Sequence, residues 1–337
     1  MIQPEILAEV WRGEILESQH RGHAVVCDAS GQIVAAWGDP DLVFYPRSSS
    51  KMIQALPLIE SGAADMLGLK TEHLALACAS HQGAAIHTDR VTKWLAAMGM
   101  SDDDFRCGPQ EPSDIPARDA LIRAGETPCQ MHNNCSGKHT GFLTVTRHLN
   151  AGPEYIDPKH PVQMAVLEAF EDLTGMTSPG YGIDGCSAPN FATTLHGMAR
   201  AMAKMAAGTT GSDTRNLASA RLVAAMARHP ELVAGEGRSC TELMRAMGGR
   251  ATIKTGAEAV FVGILPGSGL GIAVKIEDGG TRAAECAVAA LLVRLGVADA
   301  QDPLIKKRLN PVLTNRRDFE VGFIRPTDAL WQGGKPI

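Results

Sequence analysis

Three hydroxyls stand directly before a lysine in "RSSSK", residues 47–51. A serine attacks a carbonyl only when a base takes its proton, and a lysine three residues later on a helix lies along the same face. Ser48 alone has that relation to Lys51, and no other Ser-x-x-Lys occurs in the chain. Ser49 and Ser50 are then expected to serve the first turn, capping amide groups or packing nearby. Two further stretches complete a set. "ACASHQG" carries Ser80 after a buried helix, and "IKTGAEAVFVG" carries Lys254, Thr255 and Gly256 leading into a predicted strand. Such a set suits acyl transfer, in which the lysine frees the serine oxygen to attack.

A second constellation has different chemistry. "MHNNCSGKHTGF", residues 131–142, reads as a glycine-containing loop with His132, Cys135, Lys138 and His139, and "GIDGCSAPN" adds Asp184 and Cys186. Two cysteine sulfurs are soft ligands for Zn(II), and a third, nitrogen donor would leave one position open for water or substrate. Spacing alone does not choose among His132, Lys138 and His139. Lysine is the costliest, because at its ordinary pKa of about 10.4 it must lose a proton to bind. Most of the other six cysteines sit in apolar runs such as "LALACAS", where a thiol is a small buried hydrophobe.

These residues need elements to hold them. "HAVVCDASGQIVAAWGD" reads as a hairpin turning at Asp28 to Gly31, and helices are expected at 49–62, 85–99, 159–174, 190–207, 214–228 and 240–247. Strands return around "LPGSG", a helix follows at "TRAAECAVAALLVRLG", and "DFEVGFI" makes a last strand. Strands at both ends with helices between them predict an α+β fold. One antiparallel sheet is shared by the two termini (about 1–45 and 250–337), with a helical lobe at about 46–249, in a single two-lobed unit spanning 1–337.

Composition narrows the function. With 45% hydrophobic and 20% charged residues and a net charge of -5, the 337-residue chain is globular and lacks the basic stripe that tracks nucleic acid. No run is long and apolar enough for a bilayer, and "MIQPEILAEVWRGEILESQH" lacks the basic and apolar regions of a signal peptide. A cytoplasmic protein with free thiols and no membrane partner is the expectation.

Taken together, "RSSSK", "CASHQG", "MHNNCSGKHTGFL", "GIDGCSAPNF" and "KTGAEAVFVG" resemble the rhizobial-type L-asparaginases, class 3 or the asparaginase II family. The resemblance implies a fold similar to serine β-lactamases and penicillin-binding proteins, hydrolysis of L-asparagine to L-aspartate and ammonia, and a homodimer. It implies serine–lysine pairs at Ser48 with Lys51 and at Ser80 with Lys254. It also implies Zn(II) held by Cys135, Lys138 and Cys186 with a water. The second element departs from the β-lactamase pattern, since His81 and Gln82 follow Ser80.

On this reading Lys51, neutral through burial and neighbouring charge, deprotonates Ser48, which forms a β-aspartyl ester. The backbone N–H of Ser48 and one after Lys254 would form the oxyanion hole. Asp184 is the candidate for the substrate ammonium, Arg47 for its carboxylate, and His139 a further substrate contact. Rival readings are a serine-dependent glutaminase or other β-lactamase-like amidohydrolase, a metal-dependent amidohydrolase, and a zinc-binding sensor without activity.

Overall fold

The computed structural model describes residues 2–334. Both chain ends feed one eight-stranded antiparallel sheet. Its strands are β1 (Glu5–Arg12), β2 (Ile15–Asp28), β3 (Ile33–Trp37), β4 (Thr252–Gly256), β5 (Val260–Leu265), β6 (Leu270–Ile276), β7 (Val312–Thr314) and β8 (Glu320–Pro326). The order is β7-β8-β1-β2-β6-β5-β4, with β3 also paired to β2. β5 is buried along its whole length, because helices cover both faces of the sheet centre. Each fully buried Val, Ile or Phe there contributes about 1.5–3 kcal/mol relative to exposure.

The intervening helices that matter here are α1 (Lys51–Gln54), α2 (Ser136–His148), α3 (Leu195–Gly208) and α4 (Ser239–Met247), and α5 (Thr281–Arg294) follows the sheet's central hairpin. α3 lies against β2, β5 and β6, and α5 packs on β5, β6, β1 and β8. Close approach of α3 depends on Gly271, where a Cβ would collide with Ala199 O and Ala203 N. Among the described residues, no helix is long and apolar enough to cross a membrane.

The hairpin at β2–β3, the β5–β6 pair, the strand at β8 and α5 lie where the sequence puts them. Three expectations need correction. The helix expected at 49–62 is a 3-10 turn, Arg47–Ser50, then α1, then a separate helix at Leu56–Glu60. Pro57 supplies the reason, since it has no N–H to donate and its ring crowds the carbonyl four residues back. The helix expected from 190 starts at Leu195, where the Thr194 hydroxyl accepts the Gly197 N–H at 3.0 Å. Before it, Pro189–Phe191 pairs with Tyr181–Ile183 and Thr193–Thr194 with Val43–Phe44. Finally, much of the expected loop at 131–142 is α2, eleven of whose residues, Ser136 to Thr146, are buried in succession. Burial on every side hides the amphipathic spacing by which a helix is recognised.

Candidate active site

Arg47 carries φ 53, left-handed backbone that costs an L-residue about 1–2 kcal/mol. Its neighbours hold it there. Asn190 Oδ1 accepts the Arg47 N–H at 3.3 Å, and the guanidinium forks onto Asp184 Oδ1 through Nε at 2.9 Å and Nη2 at 2.8 Å. Ser49 and Ser50 donate their hydroxyls back to Pro46 O at 2.7 Å and Arg47 O at 3.0 Å, so they serve the turn through its carbonyls and not by capping amide groups as expected. Ser48 differs. Among the described residues its hydroxyl makes no hydrogen bond, and it lines a cavity of about 480 Å³ with Cys135, Asp184, Cys186 and Ala257.

Lys51 is fully buried and reaches across the helical lobe instead of along its own turn. Its Nζ lies 2.5 Å from Ala79 O and 3.0 Å from Ser80 Oγ. Lys254, on edge strand β4 and equally buried, brings its Nζ to 2.7 Å from the same Ser80 Oγ and 2.9 Å from Thr255 O. The two expected pairs are thus joined as a chain, Lys51 to Ser80 to Lys254. Two ammonium groups around one dry hydroxyl repel, so one lysine must give way. Burial, then the Lys51 charge, push Lys254 down to about 7.

The backbone clamps these groups. Ser80 N–H donates to Val233 O at 2.9 Å, and Gly256 sits so close to the serine turn that a Cβ would collide with Pro46 O. Next to Ser80, Gly83 N–H donates to His81 Nδ1 at 3.1 Å, which assigns the His81 proton to Nε2, 2.9 Å from Ser136 Oγ. Burial keeps that ring neutral, so it ties the Ser80 loop to the start of α2.

α2 and the turn after Tyr181–Ile183 bring Cys135, Lys138 and Cys186 together, each nearly fully buried. Lys138 Nζ donates to Cys186 Sγ at 3.1 Å, and Cys135 Sγ donates to Asn134 Oδ1 at 3.0 Å. The Cys135 thiol beside it holds Cys186 well below the ordinary thiol range against burial, and the Lys138 charge adds to this. The same contact, then burial, push Cys135 up to about 12. Burial opposes a charge on Lys138, but the Cys186 and Cys135 sulfurs outweigh it and raise that lysine. Among the described residues, no three His, Cys, Asp or Glu side chains converge on a metal-sized position. Two cysteine sulfurs and the Lys138 nitrogen form a donor set that suits a soft ion such as Zn(II), provided the lysine proton is displaced on binding.

Asp184 lies at the cavity wall. Burial works against its charge, yet Lys138 and Arg47 keep its carboxyl below the ordinary value. His139 is fully buried with Nδ1 2.9 Å from the Tyr155 hydroxyl and is not part of the cavity lining. Asn190 is a site residue that the sequence reading does not name. It holds the backbone before Ser48 from 143 positions away, and no local pattern signals such a contact.

The L-asparaginase II family model matches residues 8–326. No curated protein matches the chain. Among solved structures, a β-lactamase from Mycobacterium bovis is 15% identical with a TM-score of 0.44, covering 81% of this chain and 94% of its own. A structure titled Mglu in its native form is 17% identical with a TM-score of 0.42, covering 84% of this chain and 66% of its own.

Proposed function

Because the chain belongs to the L-asparaginase II family of amidohydrolases, and membership implies asparagine hydrolysis, we propose that Ser48 is the nucleophile of a serine acyl-enzyme route. The observation that carries it is the buried Lys51–Ser80–Lys254 chain, together with Ser48 on the cavity wall, whose hydroxyl has no hydrogen bond among the described residues.

Lys254, pushed down to about 7, is the lysine able to hold a free amine pair near neutral pH. It takes a proton through Ser80 from Lys51, and Lys51 in turn receives the Ser48 proton after the serine side chain rotates toward it or through one water. Ser48 Oγ bonds to the side-chain amide carbon of asparagine. The C–N bond breaks as the same chain returns a proton to nitrogen, releasing ammonia. Water then adds to the ester carbon and passes a proton to the chain, the C–O bond to Ser48 breaks, and the chain returns a proton to Ser48 Oγ, giving aspartate and free Ser48. Backbone N–H groups at Ser48 and Ala257, both on the cavity wall, are the candidates to receive the oxyanion. Asp184 would receive the substrate ammonium, with Arg47 holding that carboxylate in place.

Cys135, Lys138 and Cys186 would hold Zn(II). When bound, the ion supplies a fixed positive charge and joins α2 to the 184–186 turn beside the substrate. A homodimer belongs to the same reading and is measurable by sedimentation.

One observation favours a second reading: both lysines contact Ser80, not Ser48, so Ser80 could itself attack. Ser48 lines the cavity and Ser80 does not, which argues for the relay role of Ser80. Mass spectrometry of enzyme quenched with asparagine separates the two. An aspartyl adduct on the peptide carrying Ser48, absent in Ser48→Ala, supports the proposal. An adduct on the peptide of Ser80, or full turnover by Ser48→Ala, overturns it. Comparing asparagine with glutamine turnover tests the glutaminase alternative.

A further inference from the structure

A relay through Ser80 makes a strict demand on its position. One hydroxyl must stand within hydrogen-bond reach of two lysines at once, 3.0 Å from Lys51 Nζ and 2.7 Å from Lys254 Nζ. A shift of about 1 Å loses a partner, and misplacement of that size can cost a reaction about a hundredfold. The backbone of Ser80 meets only part of this demand. Val233 O holds its N–H at 2.9 Å, but the chain then continues through a loop, residues 79–84, that belongs to no helix or strand.

His81 is the residue that anchors this loop. Its backbone N–H donates to Asn134 O at 3.1 Å, and its ring uses both nitrogens. Nδ1 accepts the Gly83 N–H inside the loop, while Nε2–H reaches out of it to Ser136 Oγ at 2.9 Å. The Ser136 hydroxyl donates to Met131 O at 2.9 Å, which leaves its oxygen free to accept from His81. Ser136 opens α2, and beside it Gly137 lies so near the helix Thr71–Ala77, which leads to Ser80, that a Cβ would collide with Leu76 O. The two segments already touch, and the His81 ring fixes how they stand to each other. A second imidazole backs it. His87 stacks on His81 with centroids 4.8 Å apart and planes 9° from parallel, and its Nε2 lies 2.9 Å from Glu231 O, two residues before the carbonyl that holds the Ser80 N–H. Both rings are buried.

We propose that His81 is a positioning residue for the reaction, its Nε2–H bond to Ser136 holding the Ser80 hydroxyl between Lys51 and Lys254. The inference rests on the acyl-enzyme reading, in which Ser80 relays protons. Neither His81 nor Ser80 lines the cavity, so the effect falls on kcat and not on substrate binding.

Two amide variants separate this bridge from the packing of the ring. Glutamine places its Nε2 near that of histidine and still donates to Ser136, whereas asparagine places its Oδ1 near Nδ1, keeps the Gly83 contact and falls short of Ser136. Both lose the stack on His87, so that loss is common to the two. In asparagine turnover, kcat of His81→Asn should lie about tenfold to a hundredfold below that of His81→Gln, at similar KM. Ser136→Ala, which keeps the ring, should lower kcat to a similar extent, and adding it to His81→Asn should cost little more. Equal kcat in the two histidine variants, a difference confined to KM, or wild-type kcat in Ser136→Ala overturns the proposal. If the histidine variants do not fold, Ser136→Ala decides by the same criterion. An aspartyl adduct on Ser48 in the unaltered enzyme keeps these outcomes apart from failure of the acyl-enzyme reading. If that enzyme turns over no asparagine, the reading fails on its own, and hydrogen exchange decides His81: the peptide carrying Ser80 should exchange faster in His81→Asn than in His81→Gln. Equal exchange refutes the bridge.

Discussion

Replacing Lys254 by methionine should change how stability depends on pH, by an amount the structure sets. In the unfolded chain this lysine titrates near its ordinary 10.5, and in the fold at about 7, through burial first and the Lys51 charge second. Below pH 7 both states hold the proton, and the penalty for a buried charge, roughly 5 kcal/mol, is fully present. Between 7 and 10.5 the unfolded state binds more protons, so stability rises with pH, and above 10.5 the penalty is gone. About 2 kcal/mol of that rise falls between pH 7 and 9. Urea unfolding of wild type and Lys254→Met at pH 7, 8 and 9 reads it, since groups common to both proteins cancel in the difference. The wild type should gain about 2 kcal/mol more than the variant over this span. Parallel pH dependences would refute the argument that Lys254 is forced toward neutrality. The same group predicts that kcat/KM falls as pH drops through about 7, because protonated Lys254 cannot accept a proton.

Removing metal with a chelator should raise KM for asparagine more than it lowers kcat, and Cys186→Ser should release zinc as seen by native mass spectrometry. A loss confined to kcat would place the metal in the bond-breaking step instead. Asn190→Ala frees the left-handed Arg47 backbone, and steady-state kinetics should show kcat reduced by about tenfold to a hundredfold through misplacement of Ser48. An unchanged kcat would show that Arg47–Asp184 alone suffices.

Much of the architecture is legible in the chain because each element carries its own signal. The turn at Asp28 to Gly31 and the Pro-Gly-Ser-Gly stretch each lie between apolar strand runs, and these become hairpins of the sheet. α2 is not legible, because a helix buried on all sides has no polar face to set its period. β1 has no such excuse in burial, since its ends are exposed. Its pairing with β8, from Ala8 with Pro326 to Arg12 with Gly322, joins segments more than 300 positions apart, and no local pattern reports that.

By itself the sequence determined which atoms are available: one Ser-x-x-Lys, a second serine and lysine, and two cysteines with a lysine near the first. It did not determine their partners. Helical spacing pairs Ser48 with Lys51, whereas the fold sends Lys51 to Ser80 and closes that chain with Lys254, 174 positions further along. It likewise gives Arg47 to Asp184. The reason is one of reach and solvent. Spacing constrains side chains within a turn or two, while a buried lysine goes wherever the packed interior offers acceptors for its charge, and only the assembled tertiary structure decides where those are.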